Sequence, residues 1–239
     1  MTIKSNTVVL FFLALVAPVS PACAQPTNAD APVYLFSTFK EGEQDGLRFA
    51  FSYDGYHWSN VPGLILKAQV DGKIMRDPSI VRGPDRTWHL VWTSAWKGNT
   101  GFGYAYSKDL VHWSEQQFIP VMAHEPTVCN VWAPELFYDE KEKQFIITWA
   151  STIPGRFPDY LEPSTNNHRM YFTTTRDFKT FAPTKLFLDP DFSVIDCQIL
   201  NGVRPSSGAA TRNTTATAEK SEAVSSSSIA APEDGRSDA

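Results

Sequence analysis

From Val33 to Leu200 the apolar positions come in short runs of Val, Ile, Phe, Tyr and Trp, bounded by Gly, Asp, Asn or Pro. A helical spacing is hard to find, and runs of this length and punctuation predict antiparallel strands joined by tight turns. The runs also repeat. Ser52-Tyr53-Asp54-Gly55-Tyr56-His57-Trp58 is echoed by Ser107-Lys108-Asp109-Leu110-Val111-His112-Trp113, and more loosely by Thr175-Arg176-Asp177-Phe178-Lys179-Thr180-Phe181, at offsets of 55 and 68 residues. A second series, Phe36-Ser37-Thr38, Trp92-Thr93-Ser94 and Trp149-Ala150-Ser151, keeps step at offsets of 56 and 57. Units of this length, each holding several strands, are the signature of a β-propeller. Each Ser-x-Asp…Trp element reads as a strand, an Asp-favoured turn and a strand, with Trp58, Trp113 and Phe181 as core residues wedged between blades.

A third series marks the innermost strands: Asp77-Pro78-Ser79-Ile80-Val81, Ala133-Pro134-Glu135-Leu136-Phe137 and Asp196-Cys197-Gln198-Ile199-Leu200. Aligning Ile80, Leu136 and Ile199 puts Asp77, Ala133 and Asp196 in one equivalent place, which in a propeller faces the central channel. Two acids recurring there beside Arg76 and Trp132 form a constellation that a purely structural repeat does not need.

Composition narrows the partners. Lys and Arg number 21 against 26 Asp and Glu, and no basic cluster occurs, so phosphate-backbone binding is not the main task and no nucleic-acid partner is expected. The five His show no metal-ligand spacing, and neither a phosphate loop nor a nucleophile elbow is present, so no metal or cofactor is expected.

Residues 1–24 read as a signal peptide: Lys4, the apolar run Val8 to Val16, and Ala22-Cys23-Ala24 ahead of a cut before Gln25. The run is shorter than the ~20 residues needed to span a bilayer. A secreted or periplasmic chain with no membrane contact after cleavage is therefore expected, and its two remaining thiols, Cys129 and Cys197, could form at most one disulfide. Residues 201–239 carry no aromatic side chain and are rich in Ser, Ala, Thr and Gly, which predicts a disordered tail. Residues 25–200 remain as the folded part.

At Met75-Arg76-Asp77-Pro78-Ser79-Ile80, Trp132-Ala133-Pro134-Glu135-Leu136 and Phe192-Ser193-Val194-Ile195-Asp196 the chain resembles glycoside hydrolase family 43, in particular its arabinofuranosidase-like branch. The resemblance implies an all-β, five-bladed propeller that hydrolyses arabinosyl, xylosyl or galactosyl linkages in plant-type polysaccharides with inversion. By motif, Asp77 matches the general base, and Asp196 the second acid that orients the proton donor and raises its pKa. Arg76 either orients pentose hydroxyls or pairs with a channel carboxylate. Trp132 is a stacking platform for a sugar ring or a blade-packing residue. His124, in His124-Glu125-Pro126, and His168, in Asn166-Asn167-His168-Arg169, sit in loops that could rim the substrate pocket. Glu135 lies two positions beyond Ala133, in the frame of Ser79, and is not assigned as the acid.

Counted by the repeat, Val33 to Leu66 gives about three outer strands, Asp77 to Phe118 and Ala133 to Phe187 two blades, and Asp196 to Leu200 one inner strand, about three blades' worth in all. The family pattern has two further blades after Leu200, including the Glu-Gly-Pro element that carries the general acid. The expectation is therefore a truncated copy, inactive or weak, that self-associates through open edges. A non-catalytic carbohydrate-binding propeller fragment is the alternative.

Overall fold

A computed structural model describes residues 33–157 and 167–200. The expected signal peptide, the expected tail and Asn166 lie outside the described residues. Every regular element among the described residues is a β-strand, twelve in all.

The strands form three antiparallel sheets, and in the second and third the chain moves over by one strand at each step. The first holds β1 (Tyr34–Thr38), β2 (Gly46–Ser52), β3 (Ser59–Asn60) and β4 (Leu66–Lys67), with β3 and β4 both pairing β2. The second runs β5 (Arg76–Arg82), β6 (Trp88–Thr93), β7 (Phe102–Ser107), β8 (Gln117–Ile119). The third runs β9 (Trp132–Asp139), β10 (Gln144–Ser151), β11 (Arg169–Thr175), β12 (Lys185–Leu188). These are propeller blades, and the described residues form three of them, in the expected all-β class.

Register shows which strands are equivalent. Ser52, Ser107 and Thr175 close the third strand of each blade and pair with Tyr34, Trp88 and Phe145. β1 is thus a second strand, like β6 and β10, and the first sheet supplies the outer strands of its blade, as expected. Four residues further along, Thr38, Trp92 and Trp149 occupy one place. The sequence alignment of Phe36 with Trp92 is therefore two residues out of register. A slip of two keeps every side chain on its own face, so hydrophobic pattern alone does not detect it.

The turns repeat atom for atom. Ser107 Oγ accepts the amides of Asp109 and Leu110, and Asp109 Oδ1 those of Val111 and His112. Ser52 with Asp54, and Thr175 with Asp177, do the same. The residue after each Asp takes a left-handed φ: 77° at Gly55, 68° at Leu110 and 54° at Phe178. The His112 ring with the turn amides holds Asp109 below its ordinary pKa, the turn amides with the His57 ring hold Asp54 there, and the turn amides hold Asp177.

The core lies in two layers between blades. Leu90 and Trp92 of β6 face Leu47, Phe49 and Met75, while Val91 joins Phe102, Leu136, Ile147, Trp149 and Phe178 on the other side. A strand buried on both faces reads as a continuous apolar run, which is why the Trp88–Thr93 segment lacks alternation. Trp113 and Phe181 pack against these layers. Trp58 does not: it is 42% exposed and touches Phe36 edge-on. Phe178, not singled out by sequence, takes the buried aromatic place in the third blade.

Candidate functional site

The innermost strands begin with a bulge. Pairing of β5 with β6 slips between Arg76 and Ser79, and that of β10 with β9 between Thr148 and Ala150. A bulge re-aims one side chain and tolerates the proline that follows, which has no amide to give the ladder. Asp77, Ala133 and Asp196 sit at left-handed φ values of 48°, 46° and 58°. Three residues in one rare backbone state, two with a carboxylate and one with only a methyl, confirm the alignment of the third series.

The expected inner strand Asp196–Leu200 differs from its equivalents, because no described strand pairs with it. It is held instead by contacts to the third blade. The His168 amide donates to Ser193 Oγ at 3.1 Å, the Val194 amide to His168 O at 3.3 Å, and the Glu135 side chain bonds Gln198.

These strand starts open into a cleft of about 280 Å³ lined by Arg76, Asp77, Thr93, Trp96, Trp132 and Asp196, with Phe39, Glu41, Ala133 and Ile195. Asp77 receives the Thr93 hydroxyl on Oδ2 at 3.0 Å. Burial raises its pKa most; the Thr93 bond and Arg76 oppose that, and the charges of Asp196 and Glu41 add to it. Asp196 is also raised, by burial first, and Arg76 draws it back. The two acids lie close enough to repel, with one guanidinium acting on both.

Arg76 pairs with Glu41, its Nη1 lying 2.7 Å from each carboxylate oxygen. Its guanidinium also lies over the rings of Trp96 at 4.2 Å and Phe39 at 4.8 Å. Trp132 donates its indole N–H to Trp96 O at 3.0 Å and meets the Trp96 ring at 90°. The two indoles make a bent aromatic wall beside the acids.

His168 is buried and lies against the Trp132 ring, centroids 5.1 Å apart, rather than on the cleft surface. Burial lowers its pKa to about 4, so it is neutral near pH 7. His124 is not brought to this cleft. It lines a separate depression with Glu125, Arg156 and Tyr171, where Arg156 pairs with Glu125. Cys129 and Cys197 are both free thiols.

Sequence reasoning missed Thr93, Trp96, Glu41 and Phe39. Trp96, Glu41 and Phe39 follow the ends of second strands, where no repeat marks them. Thr93 had a signal: it faces Arg76 across the ladder where Ala150 faces Trp132, in step with Asp77 and Ala133.

The cleft thus sets two acids at blade-equivalent positions beside an aromatic wall. Residues 30–234 match a family described as "Probable glycosyl hydrolase domain", related to glycoside hydrolase family 43, and the chain belongs to it. Among curated proteins nothing matches the sequence. Similar solved structures include an N-acetylgalactosamine deacetylase from F. plautii, at 15% identity over 64% of this chain and 49% of that one, with a TM-score of 0.42. A thermostable family-43 glycoside hydrolase has 20% identity over 53% and 37%, with a TM-score of 0.40. An α-L-arabinofuranosidase from Lactobacillus brevis has 16% over 53% and 41%, with a TM-score of 0.42. This chain spans 49%, 37% and 41% of their lengths.

Proposed function

We propose that the cleft is the sugar site of an exported, inverting glycosidase acting on arabinosides or xylosides, with Asp77 as general base and Asp196 as the second acid that orients the proton donor and raises its pKa. One observation carries this reading. Ala133 holds the same left-handed backbone as Asp77 without a carboxylate, so the fold does not require acids at 77 and 196.

In an inverting hydrolysis the base takes a proton from water, whose oxygen attacks the anomeric carbon while the glycosidic bond breaks on the opposite face. The departing oxygen takes a proton from an acid, and the two carboxyl groups stand roughly 6.5–9.5 Å apart to admit the water. Asp77 suits the first task, because its raised pKa brings it nearer to neutrality while Thr93 and Arg76 favour its ionised form. Trp96 and Trp132 offer apolar faces to a pentose ring, and Arg76, fixed by Glu41, offers guanidinium donors to its hydroxyls. We assign no proton donor among the described residues. Activated aryl glycosides, whose leaving group needs little protonation, are therefore the preferred substrates, and natural polysaccharides are turned over poorly.

The test is the anomer released first. Proton NMR of an activated aryl arabinoside or xyloside during hydrolysis should show the inverted sugar ahead of mutarotation. Release of the retained anomer would reject the assignment of Asp77. Sugar binding without turnover would favour a non-catalytic carbohydrate-binding propeller.

A further inference from the structure

We propose that Thr93 is a positioning residue for Asp77, its hydroxyl pinned from the neighbouring blade. Thr93 Oγ1 accepts the Ala133 amide at 2.8 Å and donates to Asp77 Oδ2 at 3.0 Å. The inference rests on the glycosidase reading of Asp77 and adds a residue that acts on the base without touching substrate.

With Asp77 ionised, the direction of both bonds is forced. A backbone N–H can only donate, so the Thr93 oxygen must accept there, and its single proton is left for the carboxylate. Thr93 is buried and β-branched, which leaves its side chain little rotational freedom. One oxygen of Asp77 is thereby held and the turn of its carboxylate about the last bond is fixed, while the anchor of the holding group, the Ala133 amide, lies at the bulge that opens the third blade.

The repeat supplies an internal comparison. Arg76 faces Thr93 across the ladder of the second blade, and Trp132 faces Ala150 across that of the third. In the second blade acid and hydroxyl occur together; in the third, Ala133 stands for the acid and Ala150 for the hydroxyl. Bulge and left-handed φ are kept in both blades, so packing does not require the Thr. The charged groups acting on Asp77 are Arg76, Asp196 and Glu41, and against that background the Thr93 bond favours the ionised carboxylate.

The experiment follows the Asp77 carboxyl carbon by ¹³C NMR against pH in the whole chain, assigned by its loss in Asp77→Asn, with the Ala133 amide followed in the same titration. In the wild type the Ala133 amide should shift with the midpoint of Asp77, although it lies in another blade. Thr93→Val should abolish that response and move the midpoint up, and Thr93→Ser should restore both. A flat Ala133 amide in the wild type overturns the proposal, and that measurement needs no variant to fold. So does a Thr93→Val chain that titrates like wild type. On an activated aryl arabinoside, Thr93→Val should lower kcat about tenfold with KM little changed, and shift the acid limb of the profile to higher pH. The NMR response without any turnover keeps the role of Thr93 and rejects the glycosidase reading. Turnover with an unmoved limb and midpoint rejects the role of Thr93 and keeps that reading.

Discussion

Asp77→Asn should make the protein more stable at neutral pH and no more stable in acid. Asp77, Asp196 and Glu135 all have raised pKa values, in each case chiefly from burial, and the charge of Asp196 adds to the other two. An acid raised on folding binds its proton more tightly in the native chain, so native stability falls as pH climbs from the ordinary carboxylate range to the raised value, and stays lower above it. Below about pH 4 both states are protonated and the penalty is absent. Asparagine keeps an acceptor for the Thr93 hydroxyl and removes the charge, so at pH 7 it removes the penalty due to Asp77. Each unit of upward shift is about 1.4 kcal/mol. In a domain of this size 1 kcal/mol moves Tm by about 2–4 °C, so each unit returns about 3–6 °C. Circular-dichroism melts of both chains at a series of pH values read the difference directly. Acids lowered on folding, such as Asp45, Asp54, Asp109 and Asp177, are common to both chains and cancel. A gain at pH 7 that shrinks to nothing near pH 4 is expected; a loss at pH 7, or a gain independent of pH, would refute the reasoning.

Three further outcomes are expected. A Cβ on Gly103 would lie 2.1 Å from the buried Trp92 ring, so Gly103→Ala should destabilise by about 1–3 kcal/mol, seen as a fall in Tm of roughly 2–12 °C; an unchanged melt would mean the indole is free to move. Asp109 pairs with the His112 ring and accepts two turn amides, which lower it on folding, so its support is present above its unfolded pKa and lost as pH drops; Asp109→Asn should melt below wild type at pH 7, with the gap narrowing below about pH 4. Trp96 walls the cleft and is 46% exposed, so Trp96→Ala should weaken arabinose or xylose binding about tenfold by calorimetry, with the fold intact by circular dichroism.

The parts of the fold legible in sequence are those fixed by local hydrogen bonding. Ser52-x-Asp54, Ser107-x-Asp109 and Thr175-x-Asp177 satisfy their own turns, so the pattern of types survives wherever the turn recurs. Asp77, Ala133 and Asp196 were legible for a related reason, since each holds the same left-handed backbone three residues before Ile80, Leu136 and Ile199. The cleft wall was not. Trp96 and Phe39 gain meaning only when blades close and bring them over Arg76, and Glu41 only when it meets that guanidinium from a different sheet. His124 looked similar to His168 as a loop histidine, yet the segment after Ile119 carries it to the depression beside Arg156. The two-residue slip at Phe36 was hidden because alternation is blind to even displacements.

The claim that Asp77 is the base of a glycosidase is tested most directly by the release of aryl alcohol from activated aryl arabinosides and xylosides, with wild type and Asp77→Asn compared at neutral pH. The account predicts measurable turnover by the wild type, loss of that turnover in Asp77→Asn, and little hydrolysis of arabinan or arabinoxylan by either. Equal rates for the two chains would contradict it. So would hydrolysis of arabinan or arabinoxylan at ordinary enzyme rates, which would require a proton donor within this chain, with the half-buried Glu135 beside Asp196 the first residue to replace.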